Sequence, residues 1–285
     1  MPGAPPARPA VGASRGPGIG FSADPTVTVH RRRRRLLSPP DWCSDLAGAW
    51  IFYTVLPAWP WPAPRFRRIA RFAPLLGLVT GGAQALLWWA LTPTWPLAAR
   101  VALVLTLGLW ISGGIHADGL MDTADGLAAP KASRLAAMDD SRVGAAGVIA
   151  MIQVLLLRAA GLWMLDAAAP AALLAAAVWG RWSPLLAIDR FPYLREDGTA
   201  GFHRDHWRGL RRESRPMLAL LVVCAVGIGA RGWPWWLLVG ALPASAVPLI
   251  LGRRLEGHSG DSYGACVEWS ESLALLLMGL LACGV

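Results

Sequence analysis

Three aspartates set the chemistry. The segment Gly113-Gly114-Ile115-His116-Ala117-Asp118-Gly119-Leu120-Met121-Asp122-Thr123-Ala124-Asp125-Gly126 places Asp118, Asp122 and Asp125 at i, i+4 and i+7, a single narrow stripe on a helix. Carboxylates so clustered raise one another's pKa unless positive charge sits among them. A hard divalent cation is the natural counter-charge. Mg²⁺ takes oxygen ligands, keeps several waters and bridges one or two carboxylates to substrate phosphates. The competing reading is a solvated acidic helix face. The flanking glycines, the small or apolar residues between the acids and the adjoining apolar segment favour the metal. His116, two residues before Asp118, suits a supporting or proton-transfer role.

Two more polar clusters border apolar segments. In Met138-Asp139-Asp140-Ser141-Arg142-Val143-Gly144, Asp139 or Asp140 could complete a metal site, and Arg142 could meet a phosphate with both arms of its guanidinium. From Glu256 to Glu271, Ser259, Asp261, Glu268 and Glu271 lead into the last apolar segment. An acid inside a span is a functional-site candidate. Arg158 and Arg181 also lie within apolar segments, where an unpaired charge costs at least ~2.5 kcal/mol. Pairing with acids and binding substrate phosphate are both open to them. Arg195, in an aromatic and basic loop, suits phosphorylated planar ligands. His203 and His206 read as interfacial polar residues. The four cysteines lack metal-site spacing and read as buried thiols.

The elements that must position these groups are membrane helices. The chain has 285 residues, 55% hydrophobic and only 16% charged, against about a quarter charged in soluble domains. That composition excludes an ordinary soluble enzyme and predicts an all-α polytopic integral membrane bundle. Apolar segments fall near 42–57, 72–91, 96–115, 144–165, 170–188, 217–230, 235–251 and 265–285, giving seven or eight, of which the first is short enough to be re-entrant or interfacial. Short turns alternate with long charged loops, so every long loop falls on one face. These loops carry most of the arginine, which places them and the active site in the cytoplasm, with the bundle in a bacterial inner membrane.

The net charge of +9 is mostly a tail. Residues 1–40 hold seven arginines, five of them at Arg31 to Arg35, against the single acid Asp24. This Pro- and Gly-rich stretch predicts a disordered basic tail that touches anionic lipid rather than nucleic acid. The catalytic domain is then 41–285.

Together these motifs resemble the cobalamin synthase family, the adenosylcobinamide-GDP ribazoletransferases. The resemblance rests on G-G-I-H-A-D-G-L-M-D-T-A-D-G at 113–126, D-S-R-V-G at 140–144, P-Y-L-R-E-D-G at 192–198 and S-G-D-S-Y-G-A-C-V-E at 259–268, in the family's order and over about 42–285. Ser259 stands where the family usually has Thr, and the tail has no counterpart.

The resemblance implies transfer of adenosylcobinamide phosphate from adenosylcobinamide-GDP to α-ribazole or its 5′-phosphate, with release of GMP. It implies Asp118, Asp122 and Asp140 as Mg²⁺ ligands, with Asp125 a further ligand or the base. Catalytic candidates are Asp125, His116, Asp261 and Glu268. Substrate candidates are Gly113, Gly114, Arg142, Arg158, Arg181, Arg195 and Ser259, with the pyrophosphate falling to Arg142, Arg181 and Arg195. A Mg²⁺-dependent CDP-alcohol phosphotransferase or prenyltransferase is the enzymatic alternative. A transporter is the non-enzymatic one, although no internal repeat is present. The partners are these small molecules and the lipid bilayer, with oligomers open and nucleic acid excluded.

Overall fold

Prolines and glycines punctuate the helices. Pro40 precedes helix α1 (Asp41–Tyr53), Pro74 lies in the first turn of α2 (Ala73–Leu91), and Pro96 precedes α3 (Leu97–Ile111). These are positions where a missing backbone N–H costs nothing. The computed structural model describes residues 39–195, 200–228 and 235–283, leaving aside the side chains of 223–228 and 235. The predicted tail up to residue 38, the turn from 231 to 234, residues 196–198 of the P-Y-L-R-E-D-G motif and the Cys224 side chain lie outside that description.

The remaining helices are α4 (Ile115–Ala128), α5 (Arg134–Met138), α6 (Ala145–Leu165), α7 (Ala169–Arg190), α8 (Phe202–Asp205), α9 (Leu210–Glu213), α10 (Arg215–Ile228), α11 (Ala241–Leu255) and α12 (Gly260–Ala282). Among the described residues the only β pairing is an isolated bridge between Tyr193 and His258. The fold is thus all-α, as the composition predicts.

The span count differs. Among the described residues four helical stretches are long and apolar enough to cross a membrane, Ala70–Leu91, Ala145–Arg190, Trp236–Leu255 and Gly260–Ala282. A fifth is reached if the bent pair α3 and α4 counts as one. The expected seven or eight is not reached by this measure, since apolar runs are not helix lengths. Helix α1 has 13 residues and α3 has 15, each short of the roughly 20 a 30 Å core needs. For α1 this agrees with an interfacial or re-entrant helix.

Small residues let the long helices approach closely, the usual device where lipid supplies no hydrophobic drive between them. A Cβ on Gly77 of α2 would lie 2.5 Å from the Ala177 carbonyl oxygen of α7, and one on Gly161 of α6 would lie 2.6 Å from the Leu275 carbonyl of α12. Trp88, Val104, Leu162, Leu173 and Met278 fill the core between α2, α3, α6, α7 and α12. A second core, with Leu120, Val154, Ala187, Leu251 and Cys266, underlies the polar end of α4 and α12. A third joins α1 to α2 through Ala49, Tyr53, Phe72 and Leu76. Of the cysteines with described side chains, only Cys266 is buried; Cys43 is half-buried and Cys283 is exposed.

Candidate active site

The bend between α3 and α4 creates the site. Gly113 and Gly114 have φ of 62° and 73°, a left-handed conformation that costs glycine little, and the two helices meet at 90°. Neither glycine lines the cavity described below. They turn the aspartate helix across the bundle.

Helix α4 then packs on α12 with almost no gap. A Cβ on Gly119 would lie 2.8 Å from the Asp261 Cα, and one on Gly264 would lie 3.0 Å from the His116 carbonyl oxygen. These two glycines bring the acids of separate motifs together. Asp122 falls within the electrostatic reach of Asp118, Asp125, Asp261 and Arg195.

Asp261 is held by Ser259 and Arg195. Ser259 is the N-cap of α12, its hydroxyl accepting from the Ser262 amide at 3.3 Å, and the Ser262 hydroxyl accepts from the Ser259 amide at 2.8 Å. This reciprocal capping fixes the first turn, and the Ser259 hydroxyl also lies 3.3 Å from Asp261 Oδ2. Buried His258 spans from the Ser262 hydroxyl (2.9 Å) to the Pro248 carbonyl (3.0 Å). Its backbone exchanges hydrogen bonds with the Pro192–Leu194 strand. That pairing sets Arg195 with Nη2 2.7 Å from Asp261 and 2.9 Å from Asp139.

A cavity of about 250 Å³ opens here, lined by His116, Asp118, Arg181, His203, Asp261 and Tyr263 among others. Tyr53 from α1 closes one wall, with its ring 6.3 Å from that of His116 and stacked on that of His203. His203 is therefore buried against the cavity rather than interfacial. Its burial pulls the imidazole pKa down to about 4.

Family-model matching agrees with this reading of the motifs, with the cobalamin-5-phosphate synthase model (CobS) covering residues 45–279. The chain belongs to the cobalamin-5-phosphate synthase family. Among its relatives, a protein of Prochlorococcus marinus strain MIT 9313 named adenosylcobinamide-GDP ribazoletransferase is 54% identical over 253 residues, covering 85% of this chain and 97% of the relative. A Synechocystis protein of the same name is 41% identical over 259 residues, covering 84% and 96%. No solved structure matches the chain.

Within this synthase-family chain, the other expected site residues part company. Asp125 faces the start of α6, its oxygens accepting from the amides of Gly144 (2.7 Å) and Gly147 (2.8 Å). It satisfies amides that a helix N-terminus leaves unpaired. Asp140 is not brought to the cavity. It binds Arg142 through Nε (3.0 Å) and Nη2 (2.7 Å), and that guanidinium holds its carboxyl down to about 2. Asp139, its neighbour, is the one that reaches Arg195. Arg142 is exposed and engaged with Asp140.

Arg158 and Glu268 pair with each other in the interior, at 2.7 Å, and do not line the cavity. Arg158 also meets Glu271 at 3.2 Å and the Ser272 hydroxyl at 3.0 Å. Arg181 pairs with Glu271 while lining the cavity. The four charges thus neutralise one another across α6, α7 and α12, the condition under which buried ions persist in a membrane.

Sequence reasoning gave no role to Tyr53, His258 or Tyr263, and left Asp139 as the alternative to Asp140. His258 and Tyr263 carried a local signal, their place beside and within the S-G-D-S-Y motif. Tyr53 is gathered by tertiary approach.

The donor set fits Mg²⁺ in one mode. Among the described residues no group of three His, Cys, Asp or Glu side chains is poised to enclose an ion. Hard carboxylates on one helix stripe at a cavity mouth suit an ion that takes one or two protein ligands and draws the rest from phosphate and water.

Proposed function

We propose that this chain catalyses the reaction its relatives are named for, joining adenosylcobinamide-GDP to α-ribazole or its 5′-phosphate with release of GMP. The observation that carries the reading is the close packing of α4 on α12, which lines one cavity with Asp118, Asp261, His116 and Arg181. A hydroxyl oxygen of the α-ribazole ribose attacks the cobinamide-linked phosphorus. The bond from that phosphorus to the GMP oxygen breaks, and the hydroxyl proton passes to a base. Such a transfer asks the protein for positioning and charge neutralisation more than for covalent participation.

Asp118 and Asp122 are the residues that would hold Mg²⁺, which supplies positive charge to the pyrophosphate oxygens when bound. Asp125 supports the stripe by anchoring it to α6. Arg181 faces the transferring phosphate, and Arg195 keeps Asp261 in place. His116 stands in the same cavity wall beside Asp118. The long basic loops and the cavity face the cytoplasm of a bacterial inner membrane, in keeping with the arginine bias of those loops. Exposed Leu86, Leu103, Ile152, Leu156 and Ile250 form the lipid-facing surface.

Measuring Mg²⁺-dependent GMP release by purified protein, with each organic substrate omitted in turn, tests the reading. Release that requires both substrates supports it. Release without α-ribazole, or turnover of a CDP-alcohol or prenyl diphosphate instead, would contradict it. Turnover in detergent, where no compartments exist, is incompatible with a transporter.

A further inference from the structure

A second charged concavity shares no lining residue with the aspartate cavity. Arg68, Arg71, Arg208, Arg212, Arg215 and Pro216 surround a space of about 470 Å³. An adjoining hollow of about 360 Å³ shares Arg68, Arg71 and Arg208 and adds Arg65, Arg67 and His206 together with the acids Asp41 and Asp45, of which Asp41 pairs with Arg65 at 2.9 Å. The acids nearby are already engaged. Glu213 is buried against Arg68 at 2.6 Å, and Asp45 is held by Arg65 at 2.8 Å. Among the described residues Arg71, Arg208, Arg212 and Arg215 form no ion pair, and the buried Nε of Arg71 has no hydrogen-bond partner.

Guanidinium groups converging on one hollow repel one another unless an anion joins them. The fork geometry of arginine matches phosphate oxygens. The location adds a second constraint. Arg71 directly precedes α2 and Arg215 opens α10, so the hollow sits where two apolar helices begin. The half-buried Arg71 side chain rests its guanidinium 4.5 Å from the centre of the Phe72 ring while lining the hollow.

We propose that this arginine basin is a second phosphate-binding site, separate from the aspartate cavity, that takes the phosphate ester of a ligand at the membrane–water boundary. The ester comes either from an anionic lipid headgroup or from a free phosphorylated compound. The short helices α8 and α9 connect the two sites, since His203 lines the aspartate cavity while His206 and Arg208 line the basin. An anion in the basin therefore also steadies the wall that carries His203.

The test uses the full chain in a neutral detergent and compares it with Arg208→Gln/Arg212→Gln. Both arginines are exposed, so the pair can be replaced without opening the core. Arg253→Gln, exposed at the end of α11, controls for general charge loss. Retention of phosphatidylglycerol against phosphatidylcholine is read by native mass spectrometry, and binding of inorganic pyrophosphate by calorimetry.

At least a tenfold weakening of one anion in the double variant, absent in Arg253→Gln, is expected. Loss of phosphatidylglycerol alone identifies a lipid site; loss of pyrophosphate alone identifies a site for a soluble phosphate. Equal binding of both anions by all three proteins, or equal losses in the control, overturns the proposal. Arg215→Gln repeats the comparison if the double variant does not fold.

Discussion

Arg195 grips Asp261 at 2.7 Å and Asp139 at 2.9 Å through the same Nη2 nitrogen. One guanidinium thus joins the loop after α7, the start of α12 and the segment before α6. The acid of the S-G-D motif is fixed in place by an arginine 66 residues away.

Replacing Arg195 with Gln frees Asp261 to rotate and leaves it beside Asp118 without its partner. The KM for adenosylcobinamide-GDP should rise about tenfold, equivalent to ~1.4 kcal/mol, with a smaller change in kcat. Steady-state kinetics at saturating Mg²⁺ read this directly, and an unchanged KM would remove Arg195 from the site.

Asp125 is assigned to anchoring rather than to proton transfer. Asn at 125 turns an NH₂ group toward one of two backbone amides, leaving a donor facing a donor, at a cost of ~1–3 kcal/mol. Thermal unfolding in detergent should show that loss, and residual activity should follow the folded fraction. A folded, fully stable Asp125→Asn that is inactive would instead make Asp125 the base.

The contact of α4 with α12 leaves no room at Gly119, where a Cβ would lie 2.5 Å from the Asp261 carbonyl oxygen. Gly119→Ala should force the two helices apart and destabilise by ~1–3 kcal/mol. Activity should fall more than stability, because the same contact aligns Asp118 with Asp261. Measuring melting temperature and turnover on one preparation separates the two.

Burial holds His203 and His258 each at about 4, below the usual 6.5, so the folded protein keeps both neutral. In the unfolded chain they take up protons below about 6.5. Stability should be level above that pH and fall as the pH drops from about 6.5 to about 4, where the folded form protonates too. Melting curves across this window test it. His203→Gln should flatten the slope, and an unaltered slope would show that His203 is not buried neutral.

How much of this was legible depends on the range of the interaction. The stripe of Asp118 and Asp122 follows from helix periodicity, a local property, whereas the bend at Gly113-Gly114 and the cap at Ser259 were not read from the sequence. The partners were not legible. Asp139 and Asp140 are adjacent and chemically identical, and only the path of the chain before α6 decides which meets Arg195. Arg158 and Glu268 looked like site residues because each is a charge in a span, yet they solve one another's burial. His203 looked interfacial because sequence carries no sign that α1 covers it. Apolar segments and long helices differ in number in part because hydropathy does not register that α3 stops after 15 residues and turns.

The central claim is that the Asp118–Asp122 stripe supplies the metal-binding charge for transfer. It is tested most directly by GMP release from Asp122→Asn across a Mg²⁺ titration, with folding checked by melting temperature. At least a hundredfold loss of turnover with an unchanged melting temperature is predicted. Near-normal turnover with the wild-type Mg²⁺ dependence would contradict the account.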